Sequence, residues 1–440
     1  MNKIYIFFVS LSLLFWNPLS FWVLYKDSPV YSLKAFHILY WIIFLSGVLL
    51  IYLLQKNEVK DKLKNPILSL AFAGIIFPLV PITNLLVGHK ENNPEGLIFR
   101  PNSEVRYTTS EFDYIAKINS IGLREREMKV EKSDKYRILC FGDSWTYGWG
   151  VNLEQSYPRQ LENYLLSQGR NVEVINCGQA GIYTTIYAQQ IEKIAPVLKP
   201  DMIIVGVLQG DDLAQLYESD SIFQNSVRPQ VNLAQAFKMY LRSSISNIVS
   251  LVPRKQTISV QSSWKQDAET MIRGFSYSQK VKFSTLPDSV QLLFKTGNLN
   301  PGLVSIYLDN SERLMVFNNP QHRATQFAIR KMNDDFKRMK ATCDINKIKL
   351  VFVNLPLNIF TGHRTIRTNA DIFDSWFETN NKIDSMYRAV AVNNQLQYIE
   401  LTQFFRELKN KNGYFYRFDG HPNAKGYREI AEYIGRNLAW

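Results

Sequence analysis

The sequence is poor in the residues that build metal centres and disulfide frameworks. It has three cysteines, Cys140, Cys177 and Cys343, and five histidines in 440 residues. The cysteines have no metal-ligand spacing, and three of them make no disulfide framework. Cys140 and Cys177 sit in apolar strand-like runs, where a thiol acts as a small hydrophobe. No metal site and no cofactor is therefore expected. Internal repeats and low-complexity stretches are absent, and no motif that reads nucleic acid occurs. The excess of 51 Lys and Arg over 39 Asp and Glu, a net charge of +12, is thus read as basic surface and juxtamembrane charge with an attraction for anionic lipid or polymer. No nucleic-acid partner is expected.

What the chain does have is a strong asymmetry. Overall it is 46% hydrophobic and 13% aromatic, but residues 1–88 are far more apolar than the rest. Three runs stand out there: Ile4 to Tyr25, Leu33 to Leu54, and Pro66 to Val87. Each is long enough to cross the ~30 Å hydrocarbon core as a helix. A cleaved signal peptide is the alternative for the first. Its apolar run is long for one, bulky residues fill its end, and no small-x-small site follows, so an uncleaved span is preferred. The loop 55–65 carries Lys56, Lys60, Lys62 and Lys64, which sets it in the cytoplasm. Everything after about Gly88 then lies outside the cytoplasmic membrane. The expected organisation is a three-helix transmembrane anchor over 1–88, in contact with the lipid bilayer, and an extended lead-in over 89–135. A catalytic-type domain follows over 136–440.

From Tyr136 the pattern alternates strand and helix. Apolar runs at Ile138 to Phe141, Val172 to Asn176, Met202 to Leu208, Lys349 to Leu355 and Gln397 to Leu401 read as strands. Helical spacing separates them, with the last helix running from Asn423. Near-continuous apolar strands are those of a parallel sheet covered on both faces. The expected fold class is therefore α/β with a doubly wound parallel sheet. Residues 213–321 break the alternation and read as an insertion placed after a strand's C-terminal end, where open α/β sheets hold their ligands. Within it, Gln235 to Val252 reads as a helix.

The candidate nucleophile is Ser144. It follows the strand Ile138 to Phe141 at a Gly142-Asp143-Ser144 break, where its Oγ is exposed and backbone N–H groups can face developing negative charge. The plainer role for such a tripeptide is a turn. A serine nucleophile needs a general base and a group that orients the base. His37 falls in an apolar run, His89 beside one, and His322 at a helix start. His363 follows a strand and is the weaker alternative base. His421 stands in Asp419-Gly-His-Pro-Asn423 just before the final helix, with Asp419 two residues away to hold the imidazole in one tautomer. The chain lacks the Gly-x-Ser-x-Gly elbow of α/β-hydrolases.

Gly142-Asp143-Ser144 near the start of this domain and Asp419-x-His421 near its end resemble the first and last blocks of the SGNH/GDSL hydrolase family. Val174-Ile-Asn-Cys-Gly-Gln-Ala-Gly181 resembles the second block, whose glycine donates a backbone N–H to the oxyanion hole. That assigns Gly181, with Gly178 as the alternative. Val207-Leu-Gln-Gly-Asp-Asp-Leu213 resembles the third block, normally Gly-x-Asn-Asp, with Asp211 where the family has asparagine. An asparagine amide donates to an oxyanion, whereas an ionised aspartate repels it. Either Asp211 is protonated or it turns to another partner. Asn119-Ser-x-Gly-x-Arg124 resembles a lead-in of membrane-tethered members. The resemblance implies a membrane-anchored, extracytoplasmic serine esterase or acyltransferase. Its implied catalytic residues are Ser144, His421 and Asp419, with an oxyanion hole at Ser144, Gly181 and Asp211. The implied substrate is an acylated carbohydrate, with O-acetyl groups of a cell-envelope polymer foremost, and envelope-biosynthesis proteins are the implied partners. The rival is a catalytically weak glycan-binding or assembly subunit.

Overall fold

A computed structural model describes residues 2–17, 20, 34–56, 58–76, 96–219, 256–308, 319–358, 361, 382–408 and 413–440. The chain divides into two compact units, Met1–Pro94 with Val227–Pro253, and Glu95–Ser226 with Arg254–Trp440.

In the first unit the helices Asn2–Phe15, Lys34–Gln55 and Asp61–Ile76 pack around Val9, Leu54 and Ala71. Their outward faces remain apolar: Phe7, Leu14, Ile38, Leu45, Leu49 and Leu70 are all exposed, Leu70 at 72%. Among the described residues no helix is long and apolar enough to cross a membrane. The runs Ile4 to Tyr25 and Pro66 to Val87 both continue beyond the described residues. The helix Asp61–Ile76 also opens with Asp61, Lys62 and Lys64. The expected three complete transmembrane helices are therefore not shown by the described residues.

The second unit is built on five parallel strands. They are β3 (Tyr136–Gly142), β4 (Val172–Asn176), β5 (Met202–Leu208), β7 (Lys349–Leu355) and β8 (Gln397–Glu400), in the order β4-β3-β5-β7-β8. β5 is buried at every position, which is why it reads as an unbroken apolar run. On one face Leu139, Phe141, Ile203 and Phe352 meet Tyr187, Ile191, Phe336 and Tyr387 of the helices Thr184–Leu198, Arg323–Ile345 and Lys382–Asn393. On the other face Ile138, Cys140, Ile204 and Val353 meet Tyr157, Leu161, Tyr427 and Ile430 of the helices Tyr157–Ser167 and Ala424–Asn437. The α/β, doubly wound parallel sheet expected from the sequence is the fold observed.

A second, three-stranded sheet includes a pair of short strands in the lead-in, one of them over the alternating stretch Phe112 to Ile118, and adds a third strand from the insertion that the sequence does not announce. β1 (Glu104–Thr108) pairs antiparallel with β2 (Asp113–Lys117), and on its other edge runs parallel to β6 (Gln256–Ser259). β6 leads into four helices, Val260–Gly274, Tyr277–Ser284, Asp288–Lys295 and Pro301–Leu308. These enclose a core of their own around Phe275, Phe283, Val290, Phe294 and Leu299. The insertion and the lead-in therefore share one sheet. The expected helix Gln235 to Val252 lies outside the described residues.

Candidate active site

Gly142 ends β3 because nothing larger fits: a Cβ there would lie 2.0 Å from Thr146 Oγ1 and 2.7 Å from Gly206 O. The chain then turns into a four-residue helix, Ser144–Tyr147, rather than a simple turn. Asp143 caps it by accepting from Trp145 N at 2.9 Å, and Gly148 closes it at φ +87°. Ser144 is thus the first residue of the helix, where a backbone N–H has no intrahelical acceptor.

Some 277 residues later, the loop after Tyr414 folds back on itself. Tyr416 N donates to His421 O at 2.8 Å and Gly420 N to Tyr416 O at 3.2 Å. Gly420 adopts φ +90°, the left-handed region open to glycine. Asn423 then caps the final helix through Lys425 N and Gly426 N. The loop delivers His421 to Ser144, with Nε2 2.9 Å from Ser144 Oγ. On the other side of the ring, Nδ1 lies 2.5 Å from Asp419 Oδ1. The side chain of Asp419 is 1% exposed and that of His421 19%. Trp149 Nε1 donates to the second Asp419 oxygen at 3.2 Å, and the Trp145 and Trp149 rings flank the imidazole at 6.4 and 6.0 Å.

Electrostatics favour a basic imidazole. Burial works to lower the His421 pKa, but the charge and hydrogen bond of Asp419, with Asp143 and Asp211 adding, outweigh it and raise the value. The Asp143 carboxyl is itself raised, chiefly by burial and further by Asp211, against the Trp145 N–H and His421. Asp211 opens the helix Asp211–Glu218 after Gly210 at φ +81°, and its Oδ2 accepts from Gln215 Nε2 at 2.6 Å. Its charge is thus felt at the site while one oxygen is turned to Gln215. The following Asp212 is a structural anchor, accepting from Leu208 N at 2.7 Å and Tyr187 OH at 2.9 Å.

The two candidate oxyanion glycines are distinguished by their N–H groups. Gly178 N donates to Asn176 Oδ1 at 2.9 Å, and a Cβ on Gly178 would come within 2.2 Å of Tyr147 N. Gly178 therefore lets β4's end pack against the Ser144 helix. Gly181, at φ +77° with open space around its Cβ position, donates to no acceptor among the described residues. The structure thus brings together Ser144, His421 and Asp419, and its backbone bonding singles out Gly181 over Gly178. His363 and His89 lie outside the described residues, His37 lies in Lys34–Gln55, and His322 caps a helix by accepting from Ala324 N at 3.2 Å.

Several supporting residues were missed. Arg124, fully buried, donates to the carbonyls of Tyr147 and Gly148 and, at 2.6 Å, to Val151, tying down the turn after Ser144. The Asn119-Ser-x-Gly-x-Arg124 motif flagged this arginine but not its task. Trp149, Glu111 and Asn300 had no signal in the sequence.

No protein-family model and no curated protein matches this chain. Solved structures show a faint likeness. It is similar to the acetyl xylan esterase AlAXEase at 13% identity, covering 69% of this chain and 100% of that one, with a TM-score of 0.34. It is similar to AlinE4, an SGNH-hydrolase family esterase, at 13% identity over 70% of this chain and 96% of that one, TM-score 0.28. A third is the psychrotrophic esterase EstA from Pseudoalteromonas sp., at 8% identity over 69% and 96%, TM-score 0.29. The functional reading rests on this chain's own geometry.

Proposed function

We propose that this chain is a serine esterase of SGNH type that hydrolyses or transfers an acyl group. The observation that supports it is the continuous hydrogen-bonded line Ser144 Oγ, His421 Nε2, His421 Nδ1, Asp419 Oδ1. Ser144 Oγ attacks the ester carbonyl carbon while its proton passes to His421 Nε2. The carbonyl oxygen becomes an oxyanion facing the N–H groups of Ser144 and Gly181. The bond to the alcohol then breaks, and His421 returns the proton to the departing oxygen. Water, activated by the same imidazole, releases the acid from Ser144. A sugar hydroxyl in place of that water makes the protein an acyltransferase.

The substrate we propose is an O-acylated carbohydrate of the cell envelope, O-acetyl foremost, reached from outside the cytoplasmic membrane. The apolar outward faces of Asn2–Phe15 and Lys34–Gln55 favour lipid contact, and envelope-biosynthesis proteins are the natural partners of such an enzyme. One feature favours a second reading, a glycan-binding subunit with weak turnover: Asp211 puts negative charge where the third block normally has an amide donor. Release of p-nitrophenol from p-nitrophenyl acetate tests the first reading, with the Ser144→Ala protein expected to lose the activity. Equal rates from both proteins, together with saturable glycan binding that survives Ser144→Ala, favour the second. Recovery of the chain in the soluble fraction after carbonate extraction of membranes would count against the anchor.

A further inference from the structure

We infer that Glu111 is a positioning residue for the Asp419–His421 pair, acting from the lead-in hairpin. This rests on the proposed role of that pair. Glu111 lies in the turn between β1 and β2, held there by Thr109 Oγ1, which accepts from Glu111 N at 3.0 Å and Phe112 N at 3.1 Å. Its carboxylate takes three consecutive backbone donors of the catalytic loop. Oε1 accepts from Arg417 N at 2.6 Å, and Oε2 from Phe418 N at 2.9 Å and Asp419 N at 2.8 Å. No lysine or arginine pairs with it among the described residues. Its partners are these amides, and hydrogen bonds to a charged acceptor are the stronger kind.

The loop is held from its other side as well. Asn300 N donates to Phe418 O and Asn300 Nδ2 to Asp419 O, both at 3.1 Å, while Phe418 packs against the insertion's core. β1 bears the hairpin on one side and pairs with β6, the start of the insertion, on the other. The three-stranded sheet is thus a mount that sets where Asp419 stands. Asp419 in turn sets the imidazole. A displacement of about 1 Å at a catalytic group costs on the order of 10²-fold in rate, so this mount acts on turnover without touching the substrate.

The test compares Glu111→Ala, Glu111→Gln and, as a control on the same hairpin, Arg106→Ala, which removes only the surface pair with Asp113. Rates of p-nitrophenyl acetate hydrolysis are normalised to folded protein, and the His421 imidazole is titrated by NMR after assignment with His421→Gln. Expected is a kcat loss of about 10²-fold in Glu111→Ala with KM changed less than about threefold, and a smaller loss in Glu111→Gln, which keeps one acceptor oxygen. The His421 pKa should fall toward the ordinary imidazole value in Glu111→Ala, and Arg106→Ala should match the wild type. The NMR arm stands apart from turnover. If Ser144→Ala leaves the hydrolysis rate unchanged but the His421 titration still moves in Glu111→Ala, the esterase reading fails and the positioning role survives. Glu111 variants with unchanged kcat and unchanged His421 titration overturn the proposal, as does a loss equal in Arg106→Ala.

Discussion

Replacing Asp419 by asparagine probes the site with almost no change of shape. Asp419 accepts on both oxygens: Oδ1 from His421 Nδ1 and from His421 N at 3.1 Å, Oδ2 from Trp149 Nε1. An amide has one oxygen for these donors. If that oxygen faces Trp149, the NH2 faces His421 Nδ1 and forces it to be an acceptor. The ring proton then sits on Nε2, pointing at Ser144, and the imidazole cannot take the serine proton. If the oxygen faces His421 instead, the NH2 meets the Trp149 N–H, and one buried donor loses its partner at ~1–3 kcal/mol. Both outcomes also remove the charge that raises the His421 pKa. In a convergent Ser-His-Asp triad the equivalent change lowers kcat about 10⁴-fold, which is about 5.4 kcal/mol of barrier. The Asp419→Asn protein is therefore expected to keep its KM for p-nitrophenyl acetate within a few-fold and to lose kcat by about 10⁴-fold at pH 8. A kcat within tenfold of the wild type would refute the tautomer argument.

The remaining predictions concern the groups around that line. Because neutral His421 is the active form and its pKa is raised, kcat/KM should climb with pH through a midpoint above the ordinary imidazole value of about 6.5; a midpoint below it contradicts the charge assignment. Asp211→Asn removes one of the charges raising that pKa and supplies an amide donor, so the pH–rate profile should move to lower pH and kcat should rise, by up to ~10²-fold where the amide reaches the oxyanion. A lower kcat would mean that the carboxylate itself serves the reaction. Arg124→Met removes one donor from each of three backbone carbonyls behind the Ser144 helix. Tyr147 O keeps Asn176 Nδ2 and Gly148 O keeps Val151 N, so among the described residues Val151 O alone is orphaned. At ~1–3 kcal/mol for that orphaned group, urea unfolding should show a loss of about 1–3 kcal/mol, and no measurable loss would show that water replaces the guanidinium.

How legible this was in the sequence depended on sequence distance. β3, β5 and β7 are covered on both faces, so their burial is written as unbroken apolar runs. His421 was legible because an Asp-x-His pair before a helix puts acid and base in one short segment. Glu111, Trp149 and Asn300 meet the Asp419 loop from 308, 270 and 119 residues away, and each is an ordinary polar or aromatic residue in its own neighbourhood. β6, Gln-Thr-Ile-Ser, is too short and polar to announce itself. The choice between Gly178 and Gly181 turns on which N–H is already bonded, which residue spacing does not record. For the N-terminal runs, apolar composition suggests three complete crossings, and the described helices show no such span.

Covalent trapping reads out whether Ser144 is an activated nucleophile. The purified full chain is treated with a fluorophosphonate, and the adduct is located by mass spectrometry of peptides. One stoichiometric phosphonyl group is expected on Ser144, abolished in Ser144→Ala and strongly slowed in His421→Gln. An unlabelled Ser144 in folded protein, or labelling at the same rate without His421, would contradict that activation.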